Sequence, residues 1–141
     1  MPAVATPLPA IPPEMCGAIQ QARASIQQFF EAFAAPQPNQ SQFFLRVRFS
    51  TQSESGESAA EHLWLKQLDL NTNPPSGVIT TTPYLLGLTH LQRVFFHAHQ
   101  VSDWMYLEDD QPIGAFTTRL LRGENPQPTS RFTLLRDLWM L

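Results

Sequence analysis

Val101-Ser102-Asp103-Trp104-Met105-Tyr106-Leu107 is the stretch on which the reading of this chain turns. It sets a large aromatic of the buried type, Trp104, directly beside a carboxylate, Asp103. Val101, Trp104 and Tyr106 are β-branched or aromatic, types that suit a pleated, half-buried strand. Asp109-Asp110-Gln111-Pro112 follows as a turn cluster and leads into Ile113-Gly114-Ala115-Phe116-Thr117-Thr118-Arg119-Leu120. The pair reads as the fifth and sixth strands of a sheet. Trp104 is expected in the interior, with Asp103 tying down main-chain N–H groups.

Working outward, Gln42 to Ser50 alternates, with Phe43, Leu45, Val47 and Phe49 on one face and Phe44, Arg46, Arg48 and Ser50 on the other. That is a strand, and its second face reads as solvated. Residues 51–60 read as an exposed loop. Glu61 to Leu70 then forms a second strand, paired with the first as an antiparallel hairpin. Val78 to Thr82 and Arg93 to Ala98 supply a third and a fourth, while Tyr84 to Leu91 shows no clear period. Upstream, Pro12-Pro13-Glu14 is a helix start. Met15, Ile19, Ala22, Ile26, Phe29, Phe30 and Phe33 recur at helical spacing as far as Pro36, which predicts one amphipathic helix of about 20 residues.

The fold class that follows is α+β. One long N-terminal helix packs on a bent antiparallel sheet, or a partly open barrel, of about six strands. Five of the 13 prolines fall in residues 2 to 13, so residues 1–12 are expected to be an extended, mobile lead-in. Residues 13–122 form a single α+β domain. Residues 123–141 follow as a Pro-containing linker and a short C-terminal helix, with Phe132, Leu135, Leu138 and Trp139 on its apolar side. So short a helix is marginal alone and must dock on its own sheet, a partner or a second copy.

Composition narrows the function classes. Charged residues make 15% of the chain, against a usual ~25%, so the surface repels neighbours weakly. Nine Lys plus Arg against twelve Asp plus Glu give a net charge of −3, without the basic excess of a nucleic-acid binder. The single cysteine, Cys16, forms no internal disulfide and fits a reducing compartment. No stretch carries the pattern of a signal peptide or the ~20 apolar residues of a membrane span. A cytoplasmic protein that engages neither nucleic acid nor a membrane is expected.

Several clusters bear on chemistry. No phosphate-loop, dinucleotide, nucleophile-elbow or zinc motif occurs. His97 and His99, two apart on a predicted strand, would share a face, with Asp103 as an oxygen ligand to a metal. Surface histidines are the commoner outcome, and no metal or cofactor is assigned. Glu61, His62, Asp103 and Arg119 offer a carboxylate–imidazole pair, but Ser102 lies in no elbow and Cys16 has no evident base. Arg46 and Arg48 share a strand face with Phe44, the kind of surface on which bases stack. Two arginines in an acidic chain are too few to carry that reading.

Glu61-His62-Leu63-Trp64, Gly77-Val78-Ile79 leading to Pro83, Val101-Ser102-Asp103-Trp104-Met105-Tyr106 and Gly114-Ala115-Phe116-Thr117-Thr118-Arg119-Leu120 occur in that order. Together they resemble the bacterial family known as domain of unknown function 2314, over about residues 20 to 121. The chain departs from the family pattern at Thr81, at Leu91, where a Gly is usual, and at Ala115, which replaces a second Gly. The resemblance implies a shared fold core and a bacterial origin, and it brings no activity with it. The function expected is a non-catalytic module that binds a protein partner or forms a homo-oligomer. The alternative is a small-ligand-binding or hydrolytic domain with a pocket near Glu61, His62, Asp103 and Trp104, and the candidate binding residues are these four with Trp64 and Arg119.

Overall fold

The computed structural model describes residues 13–52, 58–85 and 87–123. Two helices, α1 (Pro13–Ala24) and α2 (Ile26–Ala34), precede a six-stranded sheet of β1 (Gln40–Gln52), β2 (Ser58–Asp69), β3 (Ser76–Ile79), β4 (Arg93–Phe95), β5 (Val101–Glu108) and β6 (Gln111–Gly114). A helix α3 (Phe116–Leu121) closes the described part. The strand order is β4-β3-β2-β1-β5-β6, and every neighbouring pair is antiparallel. The fold is therefore α+β on an open antiparallel sheet. The lead-in at 1–12 and the C-terminal helix expected after residue 123 lie outside the described residues.

The strand alternation holds. Leu45 and Val47 of β1, Leu63 and Leu65 of β2, and Trp104 and Tyr106 of β5 enter one cluster with Phe29 and Ala22. The other face of the sheet is not the solvated one expected. Phe44, Trp64, Met105 and Ala115 form a second buried cluster there. Hairpin pairing sets Arg48 directly opposite His62 and Arg46 opposite Trp64, and β5 places Asp103 across from Arg46.

Two expectations need correction, and both trace to β5. The long N-terminal helix is two helices that meet at Ser25. In an unbroken helix the Ala22 carbonyl would serve the amide of Ile26. Here it accepts the Trp104 indole N–H at 3.0 Å, and the Ser25 hydroxyl bonds back to the Gln21 carbonyl at 2.7 Å. Such back-bonding bends helices, and the two bonds together fix the elbow.

The sixth strand is shorter than the sequence suggests, ending at Gly114, and residues Phe116–Leu121 are helical. Gly114 sits at φ +87 with its Cα hard against Trp104, where a Cβ would come within 2.4 Å of the Trp104 carbonyl oxygen. Ala115 follows at φ +55, so the chain reverses over the indole and has no room to extend. Leu91 likewise holds φ +67. The left-handed backbone at both positions is one that glycine adopts most readily.

Candidate functional site

Asp103 is fully buried and engaged on both carboxylate oxygens. Oδ1 accepts the amides of Trp104 at 2.8 Å and Phe116 at 3.2 Å. Oδ2 accepts the amide and the hydroxyl of Thr117, at 2.8 and 2.6 Å. A helix begins with unpaired N–H groups, and here the cap comes from a strand 13 residues upstream, because Ala115 at the N-cap has no side-chain acceptor. Burial lifts Asp103 above the ordinary carboxylate range, while the Thr117 and Trp104 donors and the Arg46 charge pull it back. Trp104 is 1% exposed, tilted against Phe29 and edge-on to Phe116. Neither residue lines any of the pockets described below, and both are buried in the core.

The other sequence candidates scatter. Glu61 Oε1 accepts the amides of Tyr84 at 2.8 Å and Leu85 at 3.1 Å, which anchors the loop after β3 and leaves Tyr84 93% exposed. Trp64 is buried in the second cluster. Arg119 Nη2 donates to the Pro112 carbonyl at 2.9 Å, bracing α3 on β6. His97 and His99 do not lie on a strand. His97 precedes and His99 lies within a 3-10 turn, Ala98–Gln100, both exposed and stacked on each other at 5.6 Å, while Asp103 is spent elsewhere. Among the described residues no group of three His, Cys, Asp or Glu comes together to hold a metal ion.

Arg119 lines a cavity of about 490 Å³ beside Glu14 and Phe116, and a different one is lined by His62. Its Nδ1 is 2.9 Å from Ser102 Oγ, and both line a pocket of about 360 Å³ with Cys16, Ile19, Arg23 and Arg48. Sequence reasoning had noted Ser102 and Cys16 only as isolated nucleophiles and had missed Arg23. A bulge between Arg46 and Val47 of β1 lets Ser102 slip out of the paired register, which is how it reaches across to β2. That bulge has no sequence signature, although Arg48 opposite His62 follows once the hairpin register is known.

Burial, reinforced by Arg46 and Arg48, pushes the His62 imidazole down to about 4. A general base works best near the ambient pH, and no carboxylate orients this ring. The Ser102–His62 contact is thus a poor nucleophile–base pair. Burial also pushes Arg46 down to about 10, with Asp103 opposing, so it stays a cation at neutral pH. Phe44 is buried and Arg46 half-buried, so the aromatic weighed for base stacking is not presented on the surface.

A further concavity, of about 480 Å³, is carbon-rich, walled by Ile26, Phe30, Leu70, Pro75, Phe96 and Ala98. No described helix is long and apolar enough to cross a membrane. This α+β chain, with a capped strand–helix unit at its centre, matches over residues 12–130 a family described as an uncharacterized protein conserved in bacteria, DUF2314. The chain belongs to that family, and the match reaches further at both ends than the resemblance over residues 20 to 121. Neither a curated protein nor a solved structure matches it.

Proposed function

We propose that this domain is a non-catalytic binding module that recognises protein through the groove beside the α1–α2 elbow. The groove measures about 480 Å³, and only Arg23 and His99 bring polarity to its edge. Ile26, Phe30 and Leu70 pack against the core from its walls, so the groove is a continuation of the core that comes to the surface. A concave apolar patch of this kind suits an amphipathic helix laid in lengthwise.

The partner is a second copy of the chain, through its residues 130–141. Phe132, Leu135, Leu138 and Trp139 offer an apolar stripe at three- and four-residue steps, too short to hold a helix in water unaided. With 15% charged residues, two copies repel each other weakly. No reaction is part of this reading. The buried carboxylate is occupied by four donors, and the pocket histidine is a weak base. A cytoplasmic setting and the absence of a cofactor belong to the same proposal.

Sedimentation velocity of the full chain over a range of concentrations tests it. Ala98→Glu puts a charge in the groove at an exposed position that the core does not need. Leu135→Glu with Leu138→Glu does the same on the segment. The unaltered chain should dimerise, and each variant should sediment as a monomer. A monomer at every concentration would overturn the proposal, including one whose 130–141 amides are protected by docking within the same chain. A dimer indifferent to both changes would overturn it too.

A further inference from the structure

We propose that the pocket between α1 and the β1–β2 hairpin binds the carboxylate or phosphate head of a small organic anion, with Arg48 and Arg23 supplying the charge and His62 beside them. This site is separate from the groove and touches it only at Arg23 and His99.

The geometry is that of a prepared anion site. Arg48 is positioned from behind, since its own carbonyl accepts the Gln100 amide N–H at 3.0 Å. Its guanidinium, half-buried, lines the pocket, and among the described residues no carboxylate pairs with it. Arg23 arrives from α1 and is clamped. Its Nε donates to the Val101 carbonyl at 3.0 Å, and its Nη2 donates to the His99 carbonyl. Two anchored donors leave the rest of the fork to a ligand without further ordering, and a planar fork of this kind suits two-oxygen heads. His62 stands beside them, its Nδ1 2.9 Å from Ser102 Oγ, whose hydroxyl also reaches the Arg46 carbonyl at 3.3 Å.

Two cations held near a half-buried imidazole are costly to leave uncompensated, and an oxyanion relieves that cost. Cys16 and Ile19 give one apolar patch in a wall that Gln20, Ser50, Gln100 and Ser102 otherwise make polar, and about 360 Å³ is room for a small molecule. The ligand is therefore an oxyanion carrying a short apolar body.

Cys16 is the one cysteine of the chain and lines the pocket, so its alkylation reports on the site. Iodoacetate carries the proposed head and iodoacetamide does not. Their rate ratio removes any change in thiol reactivity. That ratio should fall about tenfold in Arg48→Gln, recover in part in Arg48→Lys, and stay unchanged in Arg122→Gln, whose cation lies elsewhere. Inorganic phosphate should slow iodoacetate in the unaltered chain, and phenyl phosphate should do so at lower concentration. Melting curves establish that Arg48→Gln is folded. A ratio insensitive to Arg48→Gln, or equally sensitive to Arg122→Gln, would overturn the site. Inorganic phosphate outcompeting phenyl phosphate would overturn the apolar body.

Discussion

Ser102 and Asp103 are consecutive residues of β5, yet they belong to opposite kinds of place. Asp103 is 0% exposed and meets four donors, all from its own hairpin and the helix that follows. Ser102 touches His62 of β2 at the wall of a cationic pocket. The difference arises where the ladder changes. Through Asp103 and Trp104, β5 is in register with β1, and past that point a bulge releases it. Asp103 is committed to backbone amides and one hydroxyl, whereas Ser102, also buried, reaches a side chain on another strand beside a pocket. A carboxylate next to a tryptophan is thus a joint, and the reactive-looking residues sit one step away.

Trp104→Ala is the strongest way to break the comparison. It empties a buried ring that packs against Phe29, Tyr106 and Phe116 and leaves the Ala22 carbonyl without its indole partner. A loss of about 3–5 kcal/mol in urea unfolding is expected, a large part of a typical total of ~5–15 kcal/mol. A loss under about 1 kcal/mol would mean that the indole organises neither the helix elbow nor the core. Asp103→Asn comes next. The amide matches the shape but turns an N–H₂ toward donors, so roughly 2–3 kcal/mol should go, less whatever is recovered by removing a buried charge. Melting without loss, with α3 helicity intact by NMR shifts, would sink the capping role.

How much of this was legible follows from the range of each interaction. The hairpin β1–β2 and the core faces were readable because alternation is local and Phe43 to Phe49 keep it without a break. Trp104 was readable as interior for the same reason. The elbow at Ser25 was not, since the periodicity runs straight through it and the cause is an indole 79 residues further along. The helix Phe116–Leu121 was not, because its capping acid stands on another strand and the β-branched Thr117 and Thr118 mimic a strand continuing. The pocket was half visible. His62 was singled out, but Arg23, Arg48 and Ser102 come from three elements whose meeting depends on a bulge. The strand face that His97 and His99 were expected to share is absent, because β4 ends at Phe95.

His62 gives the smallest effect and the finest discrimination. Its folded value lies near 4, below the ordinary 6.5, so between those limits the unfolded chain takes up a proton that the folded one refuses. Stability rises with pH wherever the unfolded state binds more protons. The His62 contribution is therefore complete above pH 6.5, declines as the pH falls, and is gone near pH 4. Since the ring is partly open to solvent, screening reduces its size to about 1 kcal/mol. Asp103, raised above its ordinary value, acts with the opposite sign, losing stability as pH rises through its folded value. Total stability against pH therefore mixes the two regions, and only the difference between the unaltered chain and His62→Gln separates them. Urea midpoints at pH 4.5 and 7 should differ by about 1 kcal/mol less in the variant. Phosphate should narrow the same gap in the unaltered chain, because an oxyanion beside the imidazole favours its protonated form. An identical pH profile in His62→Gln would mean that the ring is no more buried than the exposed His97 and His99, and the division between a sealed joint and a charged pocket would fall with it.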